Sequence, residues 1–393
     1  MRIAIFTDSF LPMSGGVVVY VKSVATVLAE KGHKIFIFSP KSNKDFRMPK
    51  LHKNIFVIQY PGMKMFFYPD FKLTSLLTIN DILKFRKLKI DLVFFQTPFS
   101  IGLKGILLAK LFKKPLIGVF HTRIDTKEYL SNVRIFSKSK KILKFARFYV
   151  YSYYNQSDLI LSPSKDIKDE LLKNNIKKPV IVVNNFIDDK LLYDKMCNIN
   201  IMPNSFIYLG RLAVEKNLHC LIKGFKIVVR KRPDTHLYFA GKGPYTDKLR
   251  EIILKSGLSN NVHLIGVIDN NIVLGTNFLK KFKAIVTMSN SEVQPLSLLE
   301  AMFKGLPIIG PDSTGIRELI MTNGILVKKN SYLDLSKAML RILKDEKLYL
   351  KLSKNSITYS KNFTSQKIVS DLEKIFYKQI KMSPSELNTN LIL

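Results

Sequence analysis

The sequence predicts an α/β protein built from two doubly wound, Rossmann-like domains, and three observations carry that prediction. The chain has 393 residues, about twice a typical single domain. Its apolar runs are short, rich in Ile, Val, Leu and Phe, free of polar alternation and separated by helical periods. That is the pattern of a parallel sheet covered on both faces. The strand-first pattern then restarts near Ser205, after a polar stretch over 188–203. With 47% hydrophobic residues and 27 Phe, the chain can fill two cores, which excludes a disordered or collagenous polymer.

The first half opens with a strand at Ile3–Phe6, a turn at Pro12–Gly16, a helix at Val17–Glu30 stopped by Gly32, and a strand at Lys34–Ser39. A strand at Ile55–Tyr60, a helix at Leu73–Leu88 and a strand at Leu92–Phe95 come next. Leu103–Phe112 reads as a helix and Leu116–Phe120 as a strand ending at His121. A strand at Leu159–Ser162, a helix at Lys165–Leu172 with Ser164 as N-cap, and a strand at Val180–Asn184 close this half. The second half gives strands at Ser205–Leu209, Thr235–Ala240, Val262–Ile265, Ala284–Met288 and Leu306–Ile309. Its helices are Leu218–Val229, Tyr245–Lys255 and Leu296–Phe303, with more helix over 332–345, 348–360 and 365–380. The domains are therefore expected at 1–190 and 204–362, with a C-terminal helix at 363–381 and a flexible tail at 382–393. The two domains are expected to face each other across a cleft, with ligands beyond the carboxyl ends of the strands.

Charge and cysteine narrow the class. There are 63 basic and 30 acidic residues, a net charge of +33, and 51 of the basic residues are Lys. Part of this fits the coding bias of an AT-rich genome, but its distribution is uneven. Residues 1–150 hold 27 basic against 8 acidic, 151–200 hold 7 of each, and 201–393 hold 29 against 15. Such a surplus in the first domain suits an anionic surface or phosphorylated substrates. Nucleic acid is set aside as a partner, because no compact recognition module, zinc spacing or aromatic-basic RNA signature is present. Cys197 and Cys220 are the two cysteines, too few and wrongly spaced for a disulfide framework or a metal site. The start, Met1–Phe6 followed by Thr7 and Asp8, is read as a strand and not as a signal peptide. No uncharged run approaches the ~20 residues that span a bilayer. The oligomeric state has no signature here.

The residues that carry chemistry gather at strand ends. Gly15-Gly16, between the first strand and first helix, permits close approach of a phosphate to a helix start, though no GxGxxG or GxxxxGK[ST] motif is present. Arg211 and Lys216, in Gly210-Arg211 and Glu215-Lys216-Asn217, emerge after a strand where cations can meet a diphosphate. Gly241-Lys242-Gly243-Pro244 repeats that placement, its glycines permitting a close turn against a base or ribose. Glu292 and Glu300 flank Pro295, read as the first residue of a helix. The N–H groups of Leu296, Ser297 and Leu298 then form an anion site between a loop carboxylate and a helix carboxylate. This positions a ligand and does not resemble a hydrolase pair.

In this full set the chain resembles family 4 of the retaining glycosyltransferases. The resemblance spans Arg2–Pro40, Asp91–Tyr129, Asp158–Asp188 and Ser205–Leu326. Its most specific elements are Gly210-Arg211…Glu215-Lys216-Asn217 and Glu292-x7-Glu300 before Ala301-Met302. It implies the two-domain GT-B fold, a C-terminal helix returning to the first domain, a nucleotide-sugar donor, and no essential metal or other cofactor. By residue, it implies that Gly16 approaches the donor phosphates and that Arg211 and Lys216 neutralise the leaving diphosphate. Glu300 would hold the donor ribose, Glu292 the hydroxyls of the transferred sugar, and His121 would contact that sugar. Gln294 either touches a donor hydroxyl or caps the following helix. Retention implies a front-face route, in which the leaving diphosphate assists acceptor deprotonation and positioning dominates.

For the acceptor, Thr97-Pro98-Phe99-Ser100-Ile101-Gly102, His121-Thr122…Asp125…Tyr129 and Glu292-Val293-Gln294 resemble the lipid-glycosylating branch, typified by diacylglycerol glucosyltransferases. The departures are Pro295 for the usual Gly, Val293 for a small polar residue, and Asn184-Asn185-Phe186 for Pro-Asn-Gly or Pro-Thr-Gly. The expected reaction moves a hexose, glucose first, from a UDP-sugar to a membrane lipid such as diacylglycerol. The alternative acceptor is a lipid-linked saccharide of lipopolysaccharide or surface-polysaccharide synthesis. Projected as a helix, Lys138–Val150 puts Lys140, Lys141, Lys144 and Arg147 on one arc. Ile142, Leu143, Phe145, Ala146, Tyr149 and Val150 lie on the other. Either this segment lies on an anionic leaflet or its apolar face packs on the domain's own sheet. The loop Pro61–Phe71, with Met63, Met65, Phe66, Phe67, Tyr68 and Phe71, is either an acyl-binding lip or core. The expected location is cytoplasmic, peripheral to the inner face of the cell membrane.

Overall fold

A computed structural model describes residues 1–13, 15–42, 46–64, 72–130 and 139–382. They form two compact units: Met1–Asp125, Lys140–Asn185 and Ser365–Leu393 make the first, and Thr126–Ser139 and Phe186–Thr364 the second. The boundaries differ from the expected first domain at 1–190. The stretch after Asp125 goes with the second unit, where Thr126 Oγ1 lies 3.2 Å from Ser291 Oγ and the short helix Lys127–Leu130 packs against the turn Val214–Lys216.

In chain order the first half holds β1 (Arg2–Phe6), α1 (Gly16–Glu30), β2 (Lys34–Pro40), β3 (Ile55–Tyr60), β4 (Gly62–Lys64), β5 (Lys72–Thr74), α2 (Ile79–Leu88) and β6 (Leu92–Phe95). Then come α3 (Ser100–Leu111), β7 (Leu116–Val119), α4 (Lys127–Leu130), α5 (Lys140–Tyr154), β8 (Leu159–Ser162), α6 (Lys165–Lys173) and β9 (Val180–Val182). The main sheet has the order β3-β2-β1-β6-β7-β8-β9 and is parallel throughout. β1, β6, β7 and β8 are buried almost end to end, as strands covered on both faces must be.

Two local departures from the sequence reading have physical causes. The helix expected over 73–88 starts only at Ile79, because Thr78 and Asp81 form a reciprocal capping box there. Residues 72–74 instead pair antiparallel with 62–64. Of the 61–71 loop, Met63 is exposed, and Met65, Phe66, Phe67, Tyr68 and Phe71 lie outside the described residues.

The segment expected over 138–150 is helical from Lys140, Lys138 lying outside the described residues, and runs on to Tyr154. Its second half packs: Val150, Tyr151, Tyr153 and Tyr154 are buried, and the hydroxyls of Tyr153 and Tyr154 donate to the carbonyls of Phe99 and Val119. Its first half packs only along Ile142, Leu143 and Ala146, which are half-buried. Phe145 is 67% and Phe148 68% exposed, beside exposed Lys140, Lys141 and Lys144. Arg147 is tied down, its Nε donating to the Asp125 carbonyl at 3.4 Å.

The second half continues with β10 (Ser205–Leu209), α7 (Leu218–Lys231), β11 (His236–Ala240), α8 (Thr246–Lys255), β12 (Val262–Gly266), α9 (Asn270–Gly275) and β13 (Ala284–Val286). It closes with α10 (Leu296–Phe303), β14 (Ile308–Pro311), β15 (Gly324–Val327), α11 (Tyr332–Lys344), α12 (Glu346–Ser360) and α13 (Ser365–Lys381). The sheet is parallel, in the order β12-β11-β10-β13-β14-β15. Its core joins Phe206, Phe225, Phe239, Met288, Leu335 and Met339. α13 is part of the first unit: Glu373 accepts from Lys31 Nζ at 2.8 Å and meets His33 Nε2 at 2.6 Å, and Phe376 stacks edge-on against Phe94.

In each sheet the strand order reverses once, between β1 and β6 in the first and between β10 and β13 in the second. The crevice outside the carboxyl ends at such a point is where this architecture binds ligands.

Candidate active site

On the first unit, β1 and β6 run into Thr7-Asp8 and Gln96-Thr97. α1 starts at Gly16 with Gly15 as N-cap at φ 151°, and among the described residues nothing beyond its chain neighbours comes within 4 Å of where a Gly15 Cβ would stand. A side chain here would be strained by the backbone conformation.

His121 follows β7. Its Nε2 lies 2.9 Å from Gln96 Oε1 and its ring meets Tyr20 edge-on at 4.5 Å. Burial pushes its pKa down to about 3, so the imidazole is neutral near pH 7. With Nε2 donating to Gln96, Nδ1 is left as an acceptor suited to a hydroxyl and poorly suited to taking a proton.

Asp8, not singled out in the sequence, organises the same strand ends. Its buried carboxylate accepts from Ile101 N–H at 2.7 Å, Gly102 N–H at 3.2 Å, Thr97 Oγ1 at 2.7 Å and Ser100 Oγ at 3.1 Å. It thereby caps α3, whose own N-cap, Phe99, has no side-chain acceptor. Burial raises its pKa to about 6, against the lowering effect of these bonds.

On the second unit, the Nζ of Lys216 lies 2.7 Å from Glu292 Oε1, both side chains being about one-sixth exposed (17% and 16%). The sequence reading assigns these two to different parts of a donor, and the fold joins them as an ion pair. Arg211 follows β10 with its carbonyl accepting from the Tyr208 hydroxyl at 2.8 Å. Gly315, another residue missed in the sequence, seats the Glu292 loop. At φ 77°, its Cβ would fall 2.5 Å from the carbonyl oxygens of Glu292 and Val293.

α10 spans Leu296–Phe303 as expected, but Pro295, read as its first residue, stands one place outside it. Pro295 is its N-cap, without a side-chain bond, so the cap position does not fall on Gln294, which is buried just ahead of it. Leu298 N–H donates to the Pro295 carbonyl at 3.2 Å, which removes it from the expected anion site. Leu296 and Ser297 keep N–H groups with no acceptor among the described residues. Glu300, in the second turn, is buried, and its carboxylate has no hydrogen-bond partner among the described residues; burial alone raises its pKa to about 7.

Gly241 and Gly243 have an internal reason to be glycine. Their Cβ positions would fall 1.9 Å from the Gly210 oxygen and 2.1 Å from the Leu212 oxygen. The two loops are knitted by backbone bonds, Leu212 N–H to Lys242 O at 3.1 Å and Tyr245 N–H to Leu212 O at 3.0 Å. Among the described residues no group of His, Cys, Asp and Glu is arranged to hold a metal ion, and no helix is long and apolar enough to cross a membrane.

Comparison with known proteins falls on the same two halves. Residues 14–191 match the model of Glycosyltransferase Family 4, and residues 192–359 match that of Glycosyl transferases group 1. The chain is 25% identical to an alpha-monoglucosyldiacylglycerol synthase of Acholeplasma laidlawii, over 99% of this chain and 100% of the relative. It is 25% identical to the Streptococcus pneumoniae protein of the same name, over 81% of this chain and 73% of that one. Among solved structures, a sucrose-phosphate synthase from Thermosynechococcus elongatus superposes with a TM-score of 0.80 at 16% identity, covering 98% of this chain and 100% of that one.

Proposed function

Because this chain is a glycosyltransferase of the GT-B fold, we propose that it moves glucose from UDP-glucose to a diacylglycerol-type membrane lipid with retention of configuration. The observation that carries this reading is the start of α10. There Glu300, a buried carboxylate, and the N–H groups of Leu296 and Ser297, all without a hydrogen-bond partner among the described residues, follow Glu292 within eight residues of the chain, and Glu292 is paired with Lys216 of the same unit. Such a set suits a ribose diol, a diphosphate and a sugar in that order. Glu300 takes the diol, the N–H groups with Arg211 and Lys216 take the diphosphate, and Glu292 takes sugar hydroxyls. Gly241, Gly243 and Gln294 border this donor site. On the first unit, Gly15 and Gly16 at the start of α1 are suited to a phosphate and neutral His121 to a sugar hydroxyl.

The reaction breaks the bond between the anomeric carbon and the diphosphate oxygen. The acceptor hydroxyl oxygen bonds that carbon from the same face, and its proton passes to the departing phosphate oxygen. The protein contributes placement and charge that strengthen as the diphosphate leaves. Arg211 and Lys216 supply the positive charge, so no metal or other cofactor enters the proposal, and dialysis against a chelator is expected to leave the rate unchanged.

The relatives' names support glucose and a lipid acceptor. So does the first half of α5, whose exposed Phe145 and Phe148 stand among lysines as on a helix that lies at a membrane surface. In this reading the protein works at the inner face of the cell membrane, attached peripherally to anionic lipid. The test is to incubate the purified protein with anionic vesicles containing diacylglycerol and a panel of radiolabelled nucleotide sugars, then count the organic phase. Label entering a glucosyl lipid from UDP-glucose is the expected result. Label that enters only lipid-linked saccharides, or stays aqueous with every donor, overturns it.

A further inference from the structure

One amide spans the two loops that bear Lys216 and Glu292. Asn330 lies between β15 and α11 with φ 60°, in the left-handed region. Its Oδ1 accepts from Asn217 Nδ2 at 2.8 Å and from Asn290 Nδ2 at 2.6 Å. Asn217 directly follows Lys216, and Asn290 stands two residues before Glu292. A single oxygen thus gathers both loops next to the place where their charged side chains meet at 2.7 Å.

The behaviour of Asn217 points the same way. It occupies the N-cap of α7, where an Asn side chain ordinarily bonds its own helix. Here it makes no cap bond, and its φ of 54° goes with an amide directed at Asn330. Asn217 is buried, so that amide needs a partner, and the partner supplied belongs to a third loop.

We propose that Asn330 is a positioning residue for the donor site: it sets the spacing of the two loops so that the Lys216–Glu292 pair closes. It touches neither partner of the pair and acts through Asn217 and Asn290. The consequence for catalysis rests on the donor-site reading above; the consequence for the pair itself does not. Glycine is the informative replacement, since it accepts the left-handed backbone and removes only the amide. Aspartate keeps the accepting oxygen.

The test compares the full-length parent with Asn330→Gly and Asn330→Asp, in crystal structures and by calorimetric titration with UDP and with GDP. In Asn330→Gly, Lys216 Nζ and Glu292 Oε are expected to separate beyond hydrogen-bond distance. Affinity for whichever nucleotide the parent binds should fall at least tenfold, and Asn330→Asp should restore it to within threefold. On a Glu292→Gln background the glycine change should cost less than twofold, because the pair it serves is already gone. A merely structural role predicts the same loss on both backgrounds. An unchanged pair in Asn330→Gly, equal losses on both backgrounds, or no rescue by aspartate overturns the proposal. If the parent binds neither nucleotide while the pair still opens in Asn330→Gly, the donor-site reading fails and the positioning role stands.

Discussion

Lys216 and Glu292 are 76 residues apart in the chain and 2.7 Å apart in the fold. Partly buried charges held together have their largest effect when charge builds up beside them, here as the diphosphate departs. Lys216→Ala and Glu292→Ala are each expected to lower turnover by more than about 100-fold, with far-UV spectra like those of the parent. Initial rates on radiolabelled donor check this. A native-like variant that keeps more than half of normal activity would remove the residue from the site.

Glu300 gives a pH signature with a definite sign. Its folded pKa, about 7, is raised above the ordinary 4.5, so the folded state favours the protonated form. Its burial therefore costs stability at pH 8, and the cost fades as the pH falls through 7 and is gone below 4.5. Glu300→Gln should raise the melting temperature at pH 8, by several degrees, and leave it little changed at pH 4.5. A ribose diol donates to the ionised form, so UDP affinity in Glu300→Gln should drop by about 10–100-fold at pH 8. The parent should approach the variant as the pH is lowered to 5.5. Calorimetric unfolding and titration over this range decide both points, and a Glu300→Gln variant with parental UDP affinity at pH 8 would remove the ribose assignment.

His121 should leave no mark on the pH profile. With a pKa near 3 it stays neutral from pH 5 to 8. His121→Ala is expected to lower kcat by roughly 10–100-fold through the lost contact while the limbs of the kcat profile stay where they were. A limb near pH 6 that vanishes in the variant would show that the ring titrates during turnover.

α5 separates membrane attachment from coding bias. Because Arg147 is bonded to the Asp125 carbonyl, the clean variant changes only Lys140, Lys141 and Lys144 to Gln. At about 1 kcal/mol for each charge near an anionic surface, vesicle affinity should fall by roughly 100-fold at low salt, and salt should mimic the change in the parent. Replacing Phe145 and Phe148 by Ser should weaken sedimentation with neutral vesicles too. Equal sedimentation of the parent and both variants would show that this surface is solvated rather than lipid-facing.

Much of this architecture was legible because buried parallel strands announce themselves. β1, β6, β7 and β10 are runs without polar interruption, each followed by a turn that carries a polar or glycine residue of the site. What stayed hidden depends on partners distant in sequence. Asp8 caps a helix that begins 92 residues later, and Asn330 serves loops on two other strands; neither has a local pattern. Gln96 offered a faint signal, a polar residue at the end of an all-apolar strand. Gly241 and Gly243 could be seen as required glycines, but that they make room for Gly210 and Leu212 is a fact of tertiary packing. The cap of α10 fell on Pro295 and not on the residue before it, a shift of one that changes which N–H groups remain to be used.

The place of α13 also bears on how the chain is made. Val369, Leu372 and Phe376 are fully buried in the unit whose first strand is Arg2–Phe6, and the Phe94 ring rests on Phe376. A ribosome adding about 5–20 residues per second delivers that covering helix tens of seconds after the strand that carries Phe94. Until then the nascent amino-terminal sheet carries an apolar surface meant for a segment still to be synthesised. It is during that interval, before release, that a chaperone would have something to hold.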